Sequence, residues 1–230
     1  MSNFRLTALM LAAGALLCVS TASADTITIT GGETPTFPPI FTTLDSGSSP
    51  LVLPETTCCG SSDSFDVSGS ATGTDPLASG DLDSNILAIN MTGPGTLFIW
   101  VNETGLTSPT GNVSVTSGLT SNLMQGDISS VTLVTALSTG NGVSPPLGTV
   151  LDSNTFTAIG TQSSTTTVAT GAGPYSLQEV YEIVATGAGT ANLTIDLAAT
   201  AVATPEPASL GFLGAAFAGL ILLRQRRKAN

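Results

Sequence analysis

Residues 191–198 read Ala191-Asn192-Leu193-Thr194-Ile195-Asp196-Leu197-Ala198, with Leu193, Ile195 and Leu197 at alternate positions and Thr194 and Asp196 between them. A period of two puts the three aliphatic side chains on one face of an extended strand and the polar pair on the other. The same alternation occurs at Thr26 to Thr30, where Ile27 and Ile29 alternate with threonine. Leu97-Phe98-Ile99-Trp100-Val101 is apolar at every position, the pattern of a strand covered on both faces, and belongs in the middle of the core.

Working outward, Ile86 to Met91 and Thr96 to Asn102 read as two strands joined by a hairpin turn at Gly93-Pro94-Gly95. Further strands are expected over 112–116, 129–137, 149–151, 155–159, 165–170 and 176–185, with Gly187-Ala188-Gly189 as the turn from the last of these into 191–198. The segment 31–64, with Pro35, Pro38, Pro39, Pro50 and Pro54, reads as a loose leading loop holding one short strand at Leu51 to Leu53. About nine short strands separated by Gly, Pro, Asn and Asp predict an all-β class and a single β-sandwich body over residues 25–204.

Charge divides the chain sharply. Of its 5 Lys and Arg residues, Arg5 lies near the start and Arg224, Arg226, Arg227 and Lys228 near the end, while all of its 16 acids but Glu206 lie in residues 25–204. That body contains no cation, so it forms no internal Lys or Arg ion pair and rests on apolar packing and backbone hydrogen bonds. It has nothing with which to neutralise phosphate, which disfavours nucleic acid and anionic lipid as partners of the body, and no nucleic-acid partner is expected.

The same composition removes most catalytic chemistry. The chain has no histidine, hence no Ser-His-Asp triad, Cys-His nucleophile or histidine-ligated metal. A lysine-free body excludes Schiff-base catalysis and Lys-Asn cross-links. Carboxylate chemistry remains. Leu44-Asp45-Ser46-Gly47-Ser48-Ser49 matches the loop of an aspartic-protease acid, but Asp83-Ser84-Asn85 and Asp152-Ser153-Asn154 lack the glycine that a second copy needs, so Asp45 reads as a surface turn. Paired acids of the glycosidase kind are set by the fold and not by spacing. No catalytic residue is assigned.

Asp81-Leu82-Asp83-Ser84-Asn85 places oxygen ligands at alternate positions, as calcium loops do, making Asp81, Asp83 and Asn85 the calcium candidates. Ile86 stands where such a loop needs glycine, and the simpler reading is a solvated acidic turn before a strand. No other cofactor is expected. Cys58 and Cys59 are adjacent in sequence, and the choices for them are a vicinal disulfide, an intermolecular bridge or two free thiols. Four segments match the N-glycosylation acceptor pattern, beginning at Asn90, Asn102, Asn112 and Asn192.

Residues 1–24 have a cationic start at Arg5, an apolar stretch from Leu6 to Val19 and small residues at Ala22 and Ala24, the features of a signal peptide cleaved between Ala24 and Asp25. At the other end Pro205-Glu206-Pro207 precedes an apolar run from Ala208 to Leu223, which as a helix is about 24 Å long, slightly short for a membrane span. The basic cluster Arg224, Arg226, Arg227 and Lys228 then acts as a cytoplasmic stop.

Pro205-Glu206-Pro207-Ala208-Ser209-Leu210, the Gly- and Ala-rich helix and the terminal basic cluster together resemble the PEP-CTERM sorting signal of bacterial exported proteins. The resemblance covers residues 205–230 only and implies an exosortase-type membrane enzyme as partner, an inner-membrane intermediate, and delivery to the cell surface or to extracellular polysaccharide. The expected function is therefore a non-catalytic cell-surface or extracellular-matrix protein, associated with polysaccharide or biofilm. The alternative is a secreted carboxylate-dependent hydrolase, or a calcium- or carbohydrate-binding module.

Overall fold

The computed structural model describes residues 26–33, 41–46, 51–58, 65–73, 80–89, 91–143 and 147–202. They form ten strands: β1 (Thr26–Gly32), β2 (Phe41–Ser46), β3 (Leu51–Cys58), β4 (Phe65–Gly73), β5 (Gly80–Ile89), β6 (Gly95–Leu106), β7 (Asn112–Ser138), β8 (Thr149–Phe156), β9 (Gly160–Ala169) and β10 (Tyr175–Ala201). Every pairing between them is antiparallel.

Two strands organise the rest. β7 and β10 are each 27 residues long. Extended at about 3.3 Å per residue, each would reach about 90 Å, roughly twice the width of a compact body of this size. Each must therefore double back, and they do so together, paired from Ser176 opposite Ser138 to Ala201 opposite Val113. Their register shifts between Val184 and Ala185, between Ala185 and Gly189, and between Asn192 and Leu193, so bulges take up the bend. Gly126 stands at φ +71°, and a Cβ there would lie 2.4 Å from the Ala188 carbonyl oxygen. A Cβ on Gly189 would lie 2.8 Å from the Gln125 carbonyl oxygen, so only glycine lets the two backbones meet this closely.

The bend divides the sheet into two halves. In the first, residues 176–184 of β10 pair with β6, followed by β1 and β2, while residues 131–137 of β7 pair with β8. In the second, residues 192–199 of β10 pair with β5, followed by β4 and β3, while residues 112–121 of β7 pair with β9. The halves face one another across a single apolar core, to which the first contributes Ile29, Ile99 and Leu133 and the second Ile86, Leu119 and Ile195. The described residues are all-β, and their ten strands make one sheet nearly closed into a barrel. A sandwich of two separately bonded sheets is not what forms, because β7 and β10 carry the ladder around the corner.

Several local expectations change for the same reason. Gly187-Ala188-Gly189 is not a hairpin turn; it is the bend inside β10, and the expected strands 112–116 and 129–137 are the two arms of β7. Gly93-Pro94-Gly95 makes no hairpin, since β5 pairs with β4 and β10 while β6 pairs with β1 and β10. In place of the expected loose loop with one short strand at Leu51 to Leu53, the described residues of segment 31–64 contribute β2 and an eight-residue β3, with a bulge between Leu53 and Thr56 that accommodates Pro54. Leu97 to Val101 lies centrally as expected, with Leu97, Ile99 and Val101 in the core and Phe98 stacked on Trp100 outside it at 5.8 Å between ring centroids.

Candidate functional site

The outer surfaces of the two halves differ. On the first half, the chain after β7 crosses the outer face of β10, held by Ser176 Oγ donating to Gly142 O at 2.5 Å, Gln178 Nε2 donating to Gly142 O at 3.0 Å, and Gly148 N donating to Gln178 Oε1 at 2.7 Å. The outer face of the second half carries no such cover among the described residues. Its side chains run in rows across five strands, set by the registers: Ser70, Asn85, Thr194, Thr120 and Thr161 in one row, and Thr72, Asp83, Asp196, Gly118 and Ser163 in the next.

The first row is hydrogen-bonded in two stretches, joined by Asn122 and Asn192 beside it in the first. Asn85 Nδ2 donates to Thr194 Oγ1 at 2.9 Å, Asn122 Nδ2 donates to the same oxygen at 2.8 Å and to Asn192 Oδ1 at 3.1 Å, and Thr120 Oγ1 donates to Thr161 Oγ1 at 3.4 Å. Such bonds hold these amides and hydroxyls together as a polar array, the sheet counterpart of a preorganised binding surface. At its β3 end the array runs into an open hollow of about 380 Å³, where Pro54 and Glu55 stand at the β3 bulge and Asn85 forms a wall.

The second row brings like charges together. Asp83 lies directly opposite Asp196, and Asp81 follows two residues along β5. Partial burial raises the Asp83 carboxyl above the usual carboxylate range, with Asp196 and then Asp81 adding to the effect. Burial raises Asp196 likewise. The expected calcium turn is thus a strand: Asp81, Asp83 and Asn85 all project from the outer face of β5. Alternate side chains of a strand stand about 6.6 Å apart, whereas a calcium loop curls its ligands round one ion. Among the described residues no group of three carboxylate, cysteine or histidine side chains is placed to hold a metal.

A second polar group, unforeseen in the sequence, lies inside. Glu179 on β10 and Glu103 on β6 are fully buried on the core face, each on an alternation with aliphatic neighbours. Glu179 reaches across the core to β5, where Ser84 Oγ donates to its Oε2. Ser84 Oγ also lies 2.5 Å from Tyr181 Oη, which donates to Ser84 O at 3.2 Å. Burial drives the Glu179 carboxyl well above the usual carboxylate range; the Ser84 hydrogen bond opposes this, and Asp83, Asp196 and Glu103 add to it. Burial does the same to the Tyr181 hydroxyl, reinforced by Glu179. Glu103 points toward Gly73 on β4, where a Cβ would collide with its carboxyl group. These carboxyls have no open path to a substrate, and the signal that marks them is parity. Glu179 shares the face of Leu177, Tyr181 and Ile183, and Glu103 that of Leu97, Ile99 and Val101.

The remaining sequence-derived sites fall elsewhere. Cys58 ends β3 opposite Phe65, and Cys59 lies outside the described residues. Ala24 and Asp25 of the signal cleavage site, Pro205, Glu206 and Pro207 of the sorting motif, and Arg224, Arg226, Arg227 and Lys228 also lie outside them. Asp45 sits in β2 opposite Ile27. Of the glycosylation acceptors, Asn102 is fully buried and closed to modification in the folded protein.

No curated protein matches this sequence. Among solved structures the chain is similar to the enzymatically active domain of tailspike protein 4 from bacteriophage CBA120, at 11% identity and a TM-score of 0.27, over 56% of this chain and 19% of that one. A likeness that slight carries no argument about fold or chemistry. The family comparison bears on the tail. Residues 203–228 match the PEP-CTERM protein-sorting motif.

Proposed function

We propose that this is a non-catalytic protein of the cell surface or extracellular matrix, exported through its N-terminal signal, held briefly in the inner membrane by residues 208–223, and released to the surface by an exosortase-type enzyme acting at Pro205-Glu206-Pro207. The sorting motif at 203–228 is the observation that carries this reading. Glu206 favours the water boundary, since a carboxylate is costly in hydrocarbon, and so marks where a membrane enzyme reaches the chain. The body's contribution is the outer face of the second half, a fixed array of amides and hydroxyls beside three aspartates, suited to hydroxyl-rich polymer. With no cation in residues 25–204, the polymer it accepts is a neutral or amino-bearing polysaccharide and not an acidic one.

Two measurements test this. C-terminal peptide mass spectrometry of the surface form should find no peptide from 208–223, and Glu206→Ala or deletion of residues 224–228 should leave full-length protein in the membrane. Recovery of intact Leu223 in the mature extracellular protein overturns the processing. In polysaccharide co-sedimentation, neutral and amino-bearing polymers should retain the protein, and Asn85→Ala with Thr194→Val should reduce retention severalfold. Retention only by acidic polymers, or by none, overturns the binding role.

A further inference from the structure

Four oxygen atoms form a chain between the two halves of the sheet: Glu179 Oε2, Ser84 Oγ, Tyr181 Oη and the backbone oxygen of Ser84. Three contacts link them, and each needs one proton. The serine and tyrosine hydroxyls supply two. If Glu179 is ionised, the Ser84 proton is spent on its carboxylate and the Tyr181 proton on the Ser84 carbonyl, leaving the 2.5 Å contact between Ser84 Oγ and Tyr181 Oη without a proton of its own. Sharing the tyrosine proton between both acceptors half-fills each bond. A proton on Glu179 completes the set: Glu179 then donates to Ser84 Oγ, Ser84 to Tyr181 Oη, and Tyr181 to the carbonyl, which can only accept.

We infer that Glu179 is a carboxylic acid in the folded protein and that its proton is a pH-sensitive clasp joining the two halves of the sheet, closed when the acid is neutral and loosened when it ionises. The surroundings leave the ionised form uncompensated. Glu179 is 0% exposed, its Oε1 has no hydrogen-bond partner, and the body contains no cation. The titratable groups around it are Asp83 from β5, Glu103 from β6, and Tyr181 and Asp196 from β10 itself. All are acids, and β7 presents opposite it only the Thr135 hydroxyl. A negative charge at this point is therefore opposed by burial and by every charged neighbour, with the Ser84 hydroxyl as its sole direct hydrogen-bond support.

The sign of the pH effect follows from where the proton is bound. The folded protein holds this proton at pH values where an unfolded glutamate has lost it, so the stabilisation is complete below the unfolded pKa and disappears as pH rises through the folded one. Between those two values each pH unit lowers the folding equilibrium constant by about tenfold for this one group.

Urea unfolding of the purified protein from about pH 5 to about pH 9, compared with Glu179→Gln, tests the clasp. Glutamine keeps the shape and has an N–H that donates toward Ser84 at every pH. Wild type should lose stability toward alkaline pH, whereas the variant should lose less and overtake it there. Parallel profiles, or a wild type that gains stability with rising pH relative to the variant, overturn the inference. Should the glutamine variant not fold, infrared spectra with isotopically labelled glutamate, recorded on wild type and on Glu103→Gln, decide the matter: a protonated carboxyl band at neutral pH that persists in Glu103→Gln supports the clasp, and its absence there rejects it.

Discussion

Ser117 and Thr135 lie on the same strand, β7, eighteen residues apart, and their side-chain hydroxyls share a hydrogen bond of 2.9 Å across the core. Both are almost wholly buried, so the bond replaces water for both. Removing one partner leaves the other buried and unsatisfied, a cost of about 1–3 kcal/mol, whereas removing both exchanges a polar contact for an apolar one. Thr135→Val should therefore destabilise the protein more than Thr135→Val with Ser117→Ala. Chemical denaturation of the two variants measures the difference, and a double variant less stable than the single by the full cost of a second deletion would show that the bond does not couple the halves.

Gly126 should be intolerant of any side chain. Its φ of +71° alone costs an L-residue about 1–2 kcal/mol, and the Cβ contact with Ala188 O adds a clash with backbone that has no flexible end to swing away. Gly126→Ala is expected to lower stability by at least about 2 kcal/mol. By contrast Gly111, at φ +85° with open space around it, should show the conformational cost only. Equal losses at the two sites would mean that the bend of β7 against β10 is loose.

The opposed pair Asp83 and Asp196 gives a pH prediction with a definite direction. Both folded carboxyls titrate higher than in the unfolded chain, so the folded state gains stability as pH falls and loses it as pH rises through the folded values. Asp83→Asn should stabilise the protein by about 0.2–1 kcal/mol at neutral pH, and the gain should vanish in acid, where the wild-type pair is already neutral. Thermal melts of both proteins at neutral and acidic pH read the effect directly.

Salt should raise the melting temperature of the body, because its acids repel one another and no internal cation offsets them. Calcium and magnesium should act alike at equal ionic strength, since β5 spreads its acids along a strand and does not wrap them round an ion. A calcium effect well beyond that of magnesium would sink this account of β5.

Much of the architecture is legible in alternation. Ile27 and Ile29, then Leu97, Ile99 and Val101, then Leu193, Ile195 and Leu197 announce an all-β protein and fall in its core. Continuity is not legible in the same way. Gly187-Ala188-Gly189 carries the composition of a turn, but the choice between a turn and a bulged corner depends on whether another strand bends alongside, and β7 does so with Gly126 opposite. The strand β4, Phe65-Asp66-Val67-Ser68-Gly69-Ser70-Ala71-Thr72-Gly73, hides for a related reason. Its inward positions after Val67 include Gly69 and Gly73, small because Ile86 and Glu103 press against them, so the apolar half of the alternation fades. The buried glutamates were readable by parity, though nothing in sequence shows that Ser84, from a strand nearly a hundred residues away, would meet Glu179.

The position of β10 has a consequence for export. It is the last described strand, and it pairs with β5, β6 and β7, so neither half of the sheet is complete without it. A chain that crosses a membrane from its N-terminus delivers β1 to β9 first, with the central slot of both halves vacant and their edges unpaired. The slot fills only when residues 175–201 emerge, and the sorting motif that begins at residue 203 follows at once. On the export route proposed above, closure of the body and arrival of its tail in the bilayer would be nearly simultaneous, and a retained tail would tether the nascent sheet to the membrane surface during the very interval in which its open edges could otherwise find another chain.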